Sequence, residues 1–586
     1  MQPLQCPSVP SANHRHARIL WAGVVMFSGA LVGQGAWAVE VGRVPDAGAL
    51  MRGTEQLQQF YTPPPELPEK PKREMRSKAG QQTFVVKRFR IVGATLVPTR
   101  DIQAVLEPWL DEEITFPDLE DALQAVADLY QQRGWYARPQ LPEQDLVDGI
   151  VTIKIIEGKL GDVKVDESAG ARISGSRIVN TFTARQDLGA PLNLNDLNRA
   201  VSILNETPGI KVNTAMAAGA TPETTDLVAK VEPKRWWGLN ASVDNFGARS
   251  TGYGRLSVNG NADNPLGIGD QITANYVGSE GTQFGRFGYT LPIGYDGLRF
   301  GGNYAVLAYN TVGSFAETTK QYGTAEIGEL LVTYPLLRHS TGNINTALTY
   351  DKKRYYNASV TQGVTTSQGD KYVTVGTWNL NGDHYDSLFG GGAFYWGSNW
   401  SVGHLDFSSA PTLGFNDSIN GNAAGQYSKY TANLSRLQRI TDMTQLWLSW
   451  QGQLASKNLD SSEDFSLGGP QGVRAYPNYE AQGDQGWLGT IEGRRSFGDR
   501  WQGSAFFDAG RIMVNRFTWT NSYTPNMYNL YGAGMGMSYT LPGQMVGKAM
   551  VAHRIGSNPG ANTTNGADND GTHLPWRFWL SLAGSF

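Results

Sequence analysis

Two residues in this chain have the right chemistry to hold a mobile segment, and neither is part of a recognisable catalytic set. Arg474 lies in a stretch that carries Gly468, Gly469, Gly472 and Gly483, and Asp508 lies on a later strand-like segment. A guanidinium offers five donors in a rigid fork, and a carboxylate can accept two of them side by side. A loop of roughly thirty residues with that much glycine is floppy, so it calls for an anchor. Two readings stay open on these residues alone: a loop-to-wall pair, or a surface Arg and an unrelated Asp that never meet. Other reactive patterns are sparse. The seven His, at 14, 16, 339, 384, 404, 553 and 573, show no H-x-x-x-H pair and have no Cys partners, so no metal site is expected. Gly532-Ala-Gly534-Met-Gly536 places glycine at every second position. That is one small-residue face of a strand, not a dinucleotide fingerprint. No phosphate loop, general acid or general base stands out, so neither catalysis nor a cofactor is expected.

The elements that must position Arg474 and Asp508 follow from composition and periodicity. At 586 residues the chain is long enough for several domains, and a net charge of −4 gives no field that would draw nucleic acid. It contains 70 Gly, 16 Trp, 25 Tyr and 22 Phe, a composition suited to many strands and turns. Mean hydropathy is −0.35, and beyond the N terminus no uncharged apolar run is long enough for a membrane helix. A barrel is still allowed, because its lumen-facing residues dilute the average.

Residues 1–38 read as a secretory signal, with Arg15 and Arg18 before the apolar run Ile19–Gly33 and Ala36-Trp37-Ala38 at the cleavage point. The alternative is an uncleaved anchor. Cleavage after Ala38 would remove Cys6, the one cysteine. In residues 39–60 a short helix is expected over Asp46–Phe60, with Asp46 as its N-cap. Its apolar content is low, so it must dock somewhere polar or stay loose. A Pro-rich linker follows over 61–82. Two units of β-α-α-β-β order come next, at 83–158 and 159–233. The first is expected to open on a single strand, Phe84–Val92, and Gly149–Glu157 alternates as a half-buried strand should.

Over 234–586 the pattern turns to strands of roughly ten residues with one apolar and one polar face, as in a membrane barrel. About sixteen strands are expected. In the last, Trp576, Phe578, Leu580, Leu582, Gly584 and Phe586 share one face, and Arg577, Trp579 and Ser581 lie on the other. A soluble sheet edge this apolar would invite aggregation.

Three motifs give these elements a family likeness. The stretch from Phe465 through Val473-Arg474-Ala475-Tyr476-Pro477 to Gly483-Asp484 resembles the sixth-loop signature of two-partner secretion transporters. Phe506-Phe507-Asp508-Ala509-Gly510 is similar to that family's F-x-D-x-G wall motif, and Val243-Asp244-Asn245-Phe246-Gly247 to its first barrel strand. One departure is Ala475, where the family's commonest tip is V-R-G-Y, which puts a positive φ at that point in doubt. The resemblance implies a plug helix, two POTRA-like domains in the periplasm, an outer-membrane barrel, and Phe586 as its assembly signal. It also implies that an Arg474–Asp508 pair anchors the loop. The implied partners are a secreted exoprotein of adhesin, haemolysin or toxin type, outer-membrane lipid and lipopolysaccharide, and the barrel-assembly machinery. The rival reading is a barrel-assembly insertase, which usually carries more POTRA units than the two found here.

Overall fold

The computed structural model describes residues 44–58, 83–144 and 148–586. The expected signal (1–38) and linker (61–82) lie outside the described residues. Helix α1 (Ala47–Gln58) opens the described chain, with the Ala49 N–H donating to Asp46 Oδ1 at 2.9 Å, the N-cap expected from sequence.

The first soluble domain holds β1 (Thr83–Val85), β2 (Arg88–Val92), α2 (Thr99–Leu106), β3 (Glu113–Thr115), α3 (Phe116–Gln132), β4 (Ala137–Gln140) and β5 (Ile150–Glu157). Thr115 and Asp118 form a reciprocal cap at the start of α3, and Gly134 at φ 83° turns the chain away after its end. Ile102, Leu106, Val126 and Tyr130 from the helices pack against Val151, Ile153 and Ile155 of β5, all buried. The sheet order is β2-β5-β4, with β2 parallel to β5.

The single strand expected over Phe84–Val92 is two strands. Val86 and Phe89 are both buried, and a spacing of three cannot place both on one face of a straight strand. The chain therefore bends at Val86–Lys87, and β1 leaves to pair with β3.

The second domain repeats the plan with β6 (Lys159–Asp166), α4 (Gly175–Thr183), α5 (Leu194–Glu206), β7 (Ile210–Ala218) and β8 (Thr224–Pro233). Its order is β6-β8-β7, so β6 and β7 are both edges.

Sixteen antiparallel strands then close into a barrel from Trp237–Asp244 to Trp576–Ser585. Ser581 pairs with Asp244 and Ser585 with Asn240 where the barrel closes. Tyr276, Phe287, Tyr304, Trp378, Trp400 and Phe578 point outward and are exposed, forming the surface that lipid would cover. In the final strand Trp576, Phe578 and Leu580 face out, whereas Arg577 and Trp579 are buried inside. Phe586 is half exposed, and its N–H donates to Leu239 O at 2.8 Å.

The second domain is joined to the barrel at several points, one of them an acidic turn. Asp296, between strands Thr282–Pro292 and Arg299–Asn310, accepts from Arg199 Nε at 2.8 Å, Arg185 Nη2 at 2.9 Å and Tyr334 Oη at 2.6 Å. Glu206, at the end of α5, pairs with Arg338 of the barrel at 2.6 Å. Burial alone would raise the Asp296 pKa, but hydrogen bonds from Arg199, Tyr334 and Arg185 hold it below the ordinary carboxylate value. A depressed folded-state pKa contributes stability that is present above the unfolded value and lost as pH falls through the folded one. Hydrogen exchange in Leu194–Glu206 should therefore rise in acid as Asp296 protonates, and Asp296→Ala should show that raised exchange already at neutral pH. Unchanged exchange in the variant would mean that the joint rests on other contacts.

A plugged pore and its anchored loop

Residues 456–484, between strands Thr444–Ala455 and Gln485–Phe497, fold against the inner wall of the barrel. Strands have period two, so Asp508 and Phe506 on Trp501–Met513 face the same lumen as Thr490 and Glu492 on Gln485–Phe497. Arg474 lies across these four. Its Nε and Nη2 donate to Asp508 Oδ2 and Oδ1 at 2.9 and 2.8 Å, and its backbone N–H donates to Oδ2 at 3.1 Å. Nη1 donates to Glu492 Oε2 at 2.7 Å, and the guanidinium carbon lies 3.3 Å from the Phe506 ring centroid. Thr490 Oγ1 adds a further donor to Asp508 at 2.9 Å. Arg474 is 7% exposed and Asp508 0%, so removing Arg474 leaves the buried Asp508 without its cation, at a cost of about 3–5 kcal/mol.

The neighbours of Arg474 extend this contact to the line where the barrel closes. Trp579 Nε1 donates to Arg474 O at 2.8 Å, and the Trp579 ring meets Phe246 edge to face at 5.9 Å. Asn478 Nδ2 donates to Phe246 O at 2.6 Å. The loop tip therefore bridges the first and last strands. Val473, Ala475 and Tyr476 are all fully buried, and the Arg554 guanidinium lies 4.6 Å from the Tyr476 ring centroid. Pro477 O accepts from the Glu480 N–H at 3.3 Å in the turn that follows. Asp484 closes the loop by accepting from the Leu459 and Arg516 N–H groups at 2.7 and 2.5 Å.

One expectation about the loop needs correcting. The loop is not floppy: most of its residues from Phe465 to Gly483 are buried. Its glycines serve close approach, and so do those of the wall facing it. A methyl on Gly510 would meet Leu467 Cδ2 at 2.6 Å, and one on Gly532 would meet Ala475 Cβ at 2.7 Å. The positive φ values in the tip fall at Tyr479 (64°) and Ala481 (55°), not at Ala475. Ala475 therefore fits, with its Cβ seated over the small-residue face at Gly532.

Helix α1 sits inside the barrel. Ala47, Leu50 and Met51 join a buried apolar cluster on the wall that includes Phe284, Leu307 and Tyr355. A helix expected to dock somewhere polar or stay loose thus docks on a surface that is only half polar. The polar half is a set of ion pairs. Lys371 Nζ donates to Asp46 Oδ2 at 2.9 Å and to Asp460 Oδ2 at 2.8 Å, so one cation holds both the helix and the loop. Ser461 Oγ donates to Asp46 Oδ2 at 2.7 Å. Glu463 is gripped by Lys353 and Lys429, at 2.8 and 2.5 Å. Arg52 reaches Gln453 Oε1 at 3.1 Å, and Glu55 faces Arg286 at 3.4 Å.

Sequence reasoning did not single out Glu492, Lys371, Lys353 or Lys429. Each lies at a lumen-facing position of its strand, and an ionisable residue on the polar face of an alternating strand was the available signal.

Comparison with known proteins places this geometry. Residues 223–539, more than half of the chain, match the family model described as haemolysin secretion/activation protein ShlB/FhaC/HecB. The chain belongs to this haemolysin secretion/activation family. Residues 84–158 match a POTRA domain of the ShlB type. The heme/hemopexin transporter protein HuxB of Haemophilus influenzae (strain 86-028NP) is 24% identical over 505 residues, covering 84% of this chain and 85% of that protein. The outer membrane transporter CdiB of Escherichia coli O6:K15:H31 is 25% identical over 418 residues, covering 69% and 67%. A solved structure of CdiB from Escherichia coli superposes with a TM-score of 0.66 at 20% identity, covering 93% of this chain and 99% of that one, a likeness of fold. The family is one of outer-membrane transporters, and the sixteen-stranded wall of this chain is its barrel.

If Lys371 latches the helix, Lys371→Met should raise ion conductance in planar bilayers, and deletion of residues 39–60 should raise it further while the barrel stays folded. Equal conductance in all three proteins would place the resistance to current elsewhere.

Proposed function

We propose that this chain is an outer-membrane pore that takes an unfolded exoprotein on its periplasmic side and passes it to the cell surface, as in two-partner secretion. The observation that carries the reading is a barrel whose lumen holds a short helix and one loop, behind two small domains with unpaired sheet edges. A passive porin has no use for those domains. A barrel-assembly insertase is disfavoured by the match to a secretion family over residues 223–539.

The soluble domains stand in the periplasm, and the second joins the barrel where Asp296 and Arg338 meet it. Strand β7 is the stronger candidate edge, because its outer residues are exposed, Met216 among them. An extended chain can add to that edge by backbone hydrogen bonds while its side chains test the neighbouring surface. The chain then threads the lumen after α1 withdraws and the loop shifts. Folding outside supplies the pull. Arg474 and Asp508 keep the loop on the wall at rest, with Val473, Ala475, Tyr476, Pro477, Gly483 and Asp484 shaping it and Phe506 and Gly510 receiving it.

The cargo is a secreted protein of adhesin, haemolysin or toxin type, by likeness to the transporters above. Outer-membrane lipid and lipopolysaccharide surround the wall, and the barrel-assembly machinery inserts it, with Phe586 in the terminal signal.

The domain pair, and not the barrel, selects the cargo. Replacing Phe84–Pro233 with the matching region of a related transporter should redirect secretion to that transporter's partner. A chimera that still exports only the original cargo would assign selection to the barrel.

A further inference from the structure

The inner wall carries a feature that neither the anchor nor the latch uses. Asparagines sit opposite one another on consecutive strands, all on the lumen face. Asn240 pairs in register with Asn259, and Asn259 with Asn275. Across the barrel, Asn345 Nδ2 donates to Asn381 Oδ1 at 3.2 Å, and Asn381 Nδ2 to Asn379 Oδ1 at 2.6 Å. Asn379 donates in turn to Asn399, and Asn399 Nδ2 to Thr431 Oγ1 at 3.0 Å.

A carboxamide has two N–H donors and a carbonyl with two lone pairs. Each middle asparagine of this chain spends one donor and one acceptor on its neighbours, so one of each is left over. On the opposite arc, Asn240, Asn259, Asn275 and Asn303 line a recess of about 510 Å³ that stays open with α1 seated. Its one charged lining residue, Arg286, is matched by Glu55 at 3.4 Å and Glu329 at 3.1 Å.

We infer that these two asparagine arcs are a binding track for the backbone of an extended polypeptide, and this rests on the transport reading above. The chemistry fits that ligand for three reasons. Amide groups supply both donor and acceptor to a backbone that has no secondary structure of its own. Each contact in water is weak on balance, so a moving chain exchanges one for the next. The asparagine amides carry no charge of their own, so they favour neither acidic nor basic stretches of the passing chain. A lining of lysines or carboxylates would trap one or the other.

The test uses the full chain in proteoliposomes, with Cys6→Ser so that an introduced thiol is alone. A benzophenone is attached at Asn275→Cys or Asn399→Cys, or at the outward-facing neighbours Tyr276→Cys and Trp400→Cys as controls. The probe is a biotinylated, neutral, unstructured peptide of Gly, Ser and Thr. Photolysis should capture the probe from 275 and 399 and not from 276 or 400. Adding Asn240→Leu or Asn259→Leu should cut capture at 275 by about five-fold for each hydrogen bond lost, with heat-modifiable migration of the barrel unchanged.

If the Leu variants do not fold, Asn259→Asp takes their place. It should favour a basic peptide over an acidic one at 275, where the unaltered protein treats them alike. Equal capture from both faces, or capture indifferent to every substitution, would overturn the track. Export of the cognate partner by the unaltered protein is measured separately. Export without capture removes the track alone, whereas capture without export removes the transport reading.

Discussion

A guanidinium almost wholly withdrawn from water has to find carboxylates, and Arg474 finds Asp508 and Glu492 on adjacent strands. That need organises the surrounding structure. Because the charge is buried, the loop must present it at one place. Phe506 must lie flat beneath it, and Gly510 and Gly532 must be bare so that Leu467 and Ala475 can come close. Once the tip is seated, its carbonyl and Asn478 reach Trp579 and Phe246, so the first and last strands are tied by the same loop that fills the lumen. Asp244, whose carboxylate holds Arg255 by two hydrogen bonds at 2.9 and 3.0 Å, stiffens the first strand at that point. The barrel's closure and the loop's position are therefore one problem with one solution.

The helix is held on different terms. Its apolar side meets the wall, but its polar contacts are charge pairs shared with the loop, Asp46 with Lys371 and Lys371 with Asp460. A pair of this kind gives up little when both partners return to water, unlike a buried apolar side chain. The helix is thus fixed by charge pairs that it shares with the base of the loop.

Much of this frame was legible in the sequence, for stated physical reasons. Period-two alternation marks wall strands because lipid and lumen demand opposite surfaces, and the terminal strand from Trp576 shows it without ambiguity. The Asp46 cap was legible because capping is local. What escaped was whatever depends on contact at long range. Asp46 and Lys371 are 325 residues apart, and no local pattern relates them. The bend at Val86–Lys87 escaped because a run rich in β-branched residues reads as one strand until the spacing of Val86 and Phe89 is counted. The loop glycines were misread as slack when they are points of close approach, a distinction that needs the facing surface to be known.

The central claim is that one buried charge cluster holds the loop in its working position. The most direct measurement is a double-mutant cycle on secretion of the cognate exoprotein, with Arg474→Ala, Asp508→Ala and the pair together, each checked for a folded barrel. The account predicts that each single change cuts secretion and that the double change loses distinctly less than the sum, because both remove the same contact. Strict additivity, or full secretion from either single variant, would contradict it.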